Sequence, residues 1–222
     1  LAVPMLSEQE SLLLTLAGQQ LKNLLPASLM KSMDSFFVQA RSNLAPNVTS
    51  GSAQREREWL SKVRVVSTTQ PLLPPKITPG VFEEVGNALF ANRWLTIDYK
   101  NQNDKLTRTD VMPLGLAQQG SRLYLVCRFR GYDNERTLAL HRILSAKAST
   151  LTFEYPNDFD LQQYDDEGRF GFGDGKQIRL TFCITTGAGF HLLETPLSKD
   201  QQTKPVKKGY EITATVVQTS QL

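Results

Sequence analysis

Six side chains with binding chemistry fall in one stretch of the chain: Tyr99, Tyr124, Arg128, Arg136, His141 and Arg142. Two phenols, three guanidiniums and an imidazole suit an anionic ligand that carries rings, such as a nucleotide or oligonucleotide. A guanidinium gives paired hydrogen bonds to a phosphate, and a tyrosine ring stacks on a base. Each residue also has a structural reading. A strand tyrosine packs, a histidine is satisfied by its neighbours, and Arg128 or Arg142 pairs with Asp98 or Asp133. These alternatives stay open in the sequence. The chain has two histidines, His141 and His191, and two cysteines, Cys127 and Cys183. No CxxC pair, nucleophile elbow or interpretable carboxylate pair accompanies them. The expectation is a binding protein, neither an enzyme nor a holder of a metal or cofactor.

The elements that must position these residues are strands. From Arg93 to Phe153 the apolar pattern has period two. Leu95, Ile97 and Tyr99 alternate with Trp94, Thr96 and Asp98, and a turn at Asn101 to Asp104 leads to a return strand, Leu106 to Met112. Pro113-Leu114-Gly115-Leu116 opens another strand, and Gln118 to Ser121 makes a turn. Arg122 to Phe129, Arg136 to Leu140 and Ala146 to Phe153 complete the set. A helix over Pro79 to Ala91 precedes it, with Val81, Phe82, Val85, Ala88 and Leu89 on one face. About five short antiparallel strands after one helix describe a small closed barrel.

Both flanks look like separate regions. Ser7 and Glu10 fit a capping box for a first helix with Leu12, Leu13, Leu16 and Leu21 on its apolar face, ended by Pro26. A second helix runs to Leu44, with Leu29, Met33, Phe36, Phe37, Ala40 and Leu44 in one stripe. That stripe fits either a core or a second copy of the chain. Asn47 to Ala53 reads as a polar stretch and Arg55 to Glu58 as a solvated charged face. Trp59 to Val66 reads as a short element ending in a strand, and the prolines from Pro71 to Pro79 form a stiff connector. Beyond the barrel, Gly171 to Gly175 reads as a flexible linker. Ile178 to Ile184 and Tyr210 to Val216 read as strands, with a short helix at Gly189 to Glu194. The regions are 1–78 (helical linker and dimerisation), 79–156 (barrel) and 157–222 (linker and partial α/β unit). The fold class is α+β.

Composition limits the function classes weakly. With 40% hydrophobic and 21% charged residues the usage is ordinary for a globular chain. The net charge of +3 permits an anionic partner without demanding one. No apolar run approaches the ~20 residues of a membrane span, and no basic segment marks a signal peptide. Both cysteines sit in strand-like apolar runs, as buried free thiols of a reducing cytoplasm would. The chain reads as a fragment of something longer.

The stretch from Trp94 to Ile143 resembles the WYL domain of bacterial transcriptional regulators. The residues that carry the resemblance are Ile97-Asp98-Tyr99, Pro113-Leu114, Leu123-Tyr124-Leu125 with Arg128, and Arg136 through His141-Arg142-Ile143. Leu123 stands where the family has its signature Trp, and His141 where an acid often precedes the final Arg. Leu24-Leu25-Pro26 and Gln70 to Pro75 resemble the linker before such a domain, and Ile178 to Thr219 resembles the opening of the ferredoxin-like extension called WCX. The resemblance implies an Sm-like or SH3-like barrel that senses a nucleic-acid-derived effector. It also implies a homodimer and a winged helix-turn-helix that contacts DNA outside this chain. Two further readings accompany it: a stand-alone nucleic-acid-binding module, and an oligomerisation scaffold that senses nothing.

Overall fold

The structure is a computed structural model that describes residues 5–21, 27–45, 47, 50–63, 66 and 72–220. The chain divides into two compact units, Leu1–Tyr155 and Pro156–Leu222. The expected break at Pro26 and the Leu24-Leu25-Pro26 motif lie outside the described residues, as do Gln70, Pro71 and part of the expected strand near Val65.

The first unit opens with helices. α1 (Glu8–Leu21) starts on the expected capping box: the Ser7 amide donates to Glu10 Oε2 at 2.8 Å, and the Glu10 amide donates back to Ser7 Oγ at 3.2 Å. Leu13 turns to solvent, 71% exposed, so it leaves the expected apolar face. The second helix is broken once, into α2 (Ala27–Ser32) and α3 (Asp34–Asn43). At Met33 the bonding tightens to three-residue steps, with Met33 N–H on Met30 O and Phe36 N–H on Met33 O. Beyond Leu29, whose side chain lies outside the description, Met33, Phe36 and Phe37 of the stripe are half-buried and Ala40 and Leu44 buried. The Asn43 amide donates to Leu6 O at 2.9 Å and to the buried Ser11 hydroxyl at 3.1 Å, tying the end of α3 to the start of α1.

Residues expected as loop and short element form a helix instead, α4 (Gly51–Lys62). Ser50 caps it by accepting from Ala53 N–H at 3.2 Å, and Glu58 pairs with Lys62 one turn on. The charged run is a good helix former whose apolar face is reduced to Ala53, so hydrophobic periodicity did not reveal it.

α5 (Val81–Phe90) lays Val81, Val85 and Ala88 onto a five-stranded antiparallel sheet. Its strands are β1 (Arg93–Lys100), β2 (Leu106–Gln119), β3 (Arg122–Phe129), β4 (Glu135–Ala139) and β5 (Ile143–Thr152), in the order β4-β3-β2-β1-β5. Alternation puts Leu95, Ile97, Val111, Leu123, Leu125, Cys127 and Leu138 on the face toward α5, joined by Leu140 and Ile143. Burial pushes the Cys127 thiol up to about 12, which makes it inert.

Two expectations are corrected here. Leu106 to Gln119 is one strand, not two: its first half pairs with β1 and its second with β3. Pro113, which lacks an N–H, sits where the β2–β3 register shifts, between Pro113 and Gly115. The bulge bends the strand without ending it, and the Tyr155 hydroxyl donates to Leu114 O there at 2.8 Å.

The barrel, in turn, is not closed by strand pairing. β4 and β5 are the sheet's edges, and no ladder joins them. In a flat sheet four strand spacings would hold them about 19 Å apart. A single 3-10 turn, Leu140–Arg142, links the end of β4 to the start of β5, a reach of at most about 14 Å. The sheet is therefore strongly curled but open, because five-residue β4 gives its pairing to β3 and the chain then turns.

The second unit holds α6 (Leu161–Asp166), two four-residue helical turns, α7 (Thr186–Gly189) and α8 (His191–Glu194), and a sheet. The strands β6 (Gln177–Thr185), β7 (Gln202–Val206) and β8 (Gly209–Val217) are antiparallel in the order β6-β8-β7. At Gly209 an added Cβ would lie 1.9 Å from the Ile184 carbonyl oxygen, so only glycine permits that approach. Cys183 is exposed on β6, against the expectation that both thiols are buried.

Residues 170–175 are built rather than loosely linked. Gly171 and Gly173 donate to Gly168 O, Gly175 donates to Glu167 O, and Ser220 donates to Gly171 O. A Cβ on Gly173 would meet three carbonyl oxygens at 2.9 Å. Among the described residues no helix is long and apolar enough to cross a membrane.

Candidate functional site

Strand alternation and the hairpin between β3 and β4 sort the six candidate residues into different places. Arg122, Tyr124, Val126 and Arg128 share the face of β3 that points away from the core, while Leu123, Leu125 and Cys127 fill the core. The register sets Arg128 opposite Glu135 and Tyr124 opposite Ala139.

At one end of that face, Arg128 is engaged. Its Nε and Nη2 donate to Glu135 Oε1 at 2.9 and 2.6 Å, with side chains only 14% and 23% exposed. The partner is thus Glu135, neither Asp98 nor Asp133, because the hairpin register and not sequence proximity selects it. Asp98 accepts from the Ser145 hydroxyl at 2.6 Å and has Arg108 at 4.0 Å. Arg136 lies on the opposite face, at the start of β4, with its guanidinium 4.5 Å from the Phe129 ring centre and 5.4 Å from that of Tyr132. Tyr99 continues the core-facing row of Leu95 and Ile97 and packs against the core. These three residues do not meet at one point.

The other end of the face holds Arg122 and Tyr124, and the turn that carries His141 and Arg142 follows from β4 there. The 3-10 turn Leu140–Arg142 packs on β3 and buries Leu140, which leaves His141 and Arg142 half-buried beside the strand. Tyr124 has an alanine on each side across the sheet, Ala117 and Ala139. His141 Nδ1 is buried and has no hydrogen-bond partner. Burial first, then the charges of Arg142 and Arg122, hold the imidazole below its ordinary pKa. Among the described residues neither Arg122 nor Arg142 meets a carboxylate.

Arg122 and Arg142 thus both act on the His141 ring, and neither has a carboxylate beside it among the described residues. Arg122 is exposed and Arg142 half-buried, and a ligand would displace no internal carboxylate from either. Arg122 was not among the sequence candidates. The available signal was its place two residues before Tyr124, on the same face of the strand.

No curated protein matches this chain. Solved structures do: one is proteasome accessory factor B/C (PafBC) of Arthrobacter aurescens, 19% identical over 97% of this chain and 28% of that one, with a TM-score of 0.39. The chain thus spans little more than a quarter of that protein's length. Residues 80–148, which run from the start of α5 into β5 and include Arg122, Tyr124, His141 and Arg142, match the family model of the WYL domain.

Proposed function

We propose that residues 80–148 sense a ligand for a transcriptional regulator, and that the ligand is an anionic, ring-bearing molecule: a nucleotide or a single-stranded nucleic acid. The observation that carries this reading is the pair Arg122 and Arg142, two cations without a carboxylate on a WYL-like segment. Arg122 and Arg142 hold phosphate oxygens, Tyr124 offers its ring to a base, and His141 supplies a further donor. The site binds and does not catalyse. Arg128 and Arg136 serve the fold around it through Glu135 and the Phe129 and Tyr132 rings.

In this reading the curled sheet is an Sm-like barrel whose seam is the 3-10 turn, so the ligand sits at the seam. The strand order β6-β8-β7 with helical turns between β6 and β7 supports a partial ferredoxin-like extension. The α1–α3 region supports a homodimer, since Leu13 and Val38 are exposed there, at 71% and 50%. DNA is contacted by a domain outside this chain, in the cytoplasm. A ligand shifts DNA affinity only by binding two conformations unequally, and a site at the seam between the sheet's edges is where such a difference arises.

The test is direct binding of nucleotides and of short oligothymidylate by thermal shift, because a ligand of the native state raises the melting temperature. A rise lost in the R122A/R142A double variant supports the reading. No rise with any anion overturns it, and regulation that persists in the double variant favours a scaffold.

A further inference from the structure

His141 is half-buried in the 3-10 turn between β4 and β5, and its surroundings give its charge state a consequence. Arg142 is the next residue of that turn, the β3–β4 register carried on past Tyr124 and Ala139 brings Arg122 alongside, and both charges act on the ring. From β4 the neighbouring residues are Leu138 and Ala139, which carry no charge. No carboxylate acts on the ring.

Nδ1 is buried without a partner, so an imidazolium would add a second N–H to a site already holding two positive charges. The empty site therefore favours the neutral ring. A phosphate between Arg122 and Arg142 offsets the repulsion, while Nδ1 stays buried. It also accepts from Nε2–H, the nitrogen left facing outward, and that bond strengthens when the ring is charged.

We infer that His141 takes up one proton as the anion binds, so that this site reads a ligand and acidity together. This rests on the anion site proposed above. The proton comes from solvent and resides on the imidazole, and no covalent bond is made or broken. The sign follows from linkage. Affinity is highest below the free site's pKa, which lies under the ordinary histidine value, and falls as pH rises through the window between the free and bound values. For one proton the fall approaches about tenfold per pH unit.

The probe is an oligothymidylate pentamer without terminal phosphates, because its diester phosphates do not titrate between pH 5.5 and 8.5. Calorimetry of the unaltered chain in buffers of different ionisation enthalpy is expected to show proton uptake on binding. H141Q is expected to bind with the wild-type high-pH affinity and no pH slope, and H141K to stay tight across the range. Binding without proton uptake, or an unchanged slope in H141Q, overturns the inference while the anion site stands. No binding at any pH overturns both.

Discussion

Arg122 and Arg128 stand on the same face of the same strand, yet they have opposite circumstances. Arg128 is largely buried against Glu135, and its charge is spent inside the fold. Arg122 is exposed, meets no carboxylate, and acts on His141 across the end of the sheet. Breaking the first pair would take a counter-charge from a largely buried guanidinium, whereas removing Arg122 takes a partner from no carboxylate. An arginine's availability is thus decided by what the hairpin register sets opposite it, and the strand alternation alone leaves the two indistinguishable.

The comparison breaks most sharply under ligand. Replacing Arg122 and Arg142 together by alanine is expected to weaken oligothymidylate binding about 100-fold, from two charged contacts of about 1.5 kcal/mol each. Fluorescence anisotropy at fixed low salt measures this, and a loss below threefold would remove the site from this end of β3. R128A, assayed alongside, is expected to stay within threefold of wild type.

Stability should sort the same residues the other way. E135Q takes the Glu135 charge from the Arg128 guanidinium and is expected to cost about 1 to 2 kcal/mol, reduced from the fully buried case by the partial exposure of both groups. Urea unfolding reads the change. R122A is expected to shift it by no more than about 0.5 kcal/mol. Equal losses in E135Q and R122A would erase the distinction.

The smallest effect lies further along the paired, polar face. The Thr96 hydroxyl donates to Asp110 at 2.7 Å and, with Arg130, holds that carboxyl below its ordinary range. A depressed carboxylate stabilises the fold above its unfolded pKa, and the gain is lost as pH falls through the folded value. T96V should therefore cost at most about 1 kcal/mol near neutrality, and the gap to wild type should narrow in acid. A gap that is constant from pH 7 to pH 3 would show that the hydroxyl contributes packing only.

Much of the central fold was legible because it rests on local pattern. Leu95 and Ile97, Leu123 and Leu125, and the row Val81, Val85 and Ala88 announce strand and helix by spacing alone, and the structure buries each of them. α4 was hidden because its stability comes from the Ser50 cap and charged pairs on a nearly polar helix. The unbroken β2 was hidden because a proline ordinarily ends a strand, and only a bulge at Pro113 tolerates it.

Sequence alone determined which side chains could bind an anion, since phenol, guanidinium and imidazole chemistry travels with residue identity. It also determined which strand faces are apolar, since the period-two pattern is written residue by residue. Only tertiary structure decided which of those side chains are available. Arg128 went to Glu135, Arg136 to the Phe129 and Tyr132 rings, and Tyr99 to the core, while Arg122 and Arg142 act on His141. The physical reason is that partner choice depends on cross-strand register and on the 3-10 turn between the sheet's edges. Both are set by contacts between residues far apart in the chain.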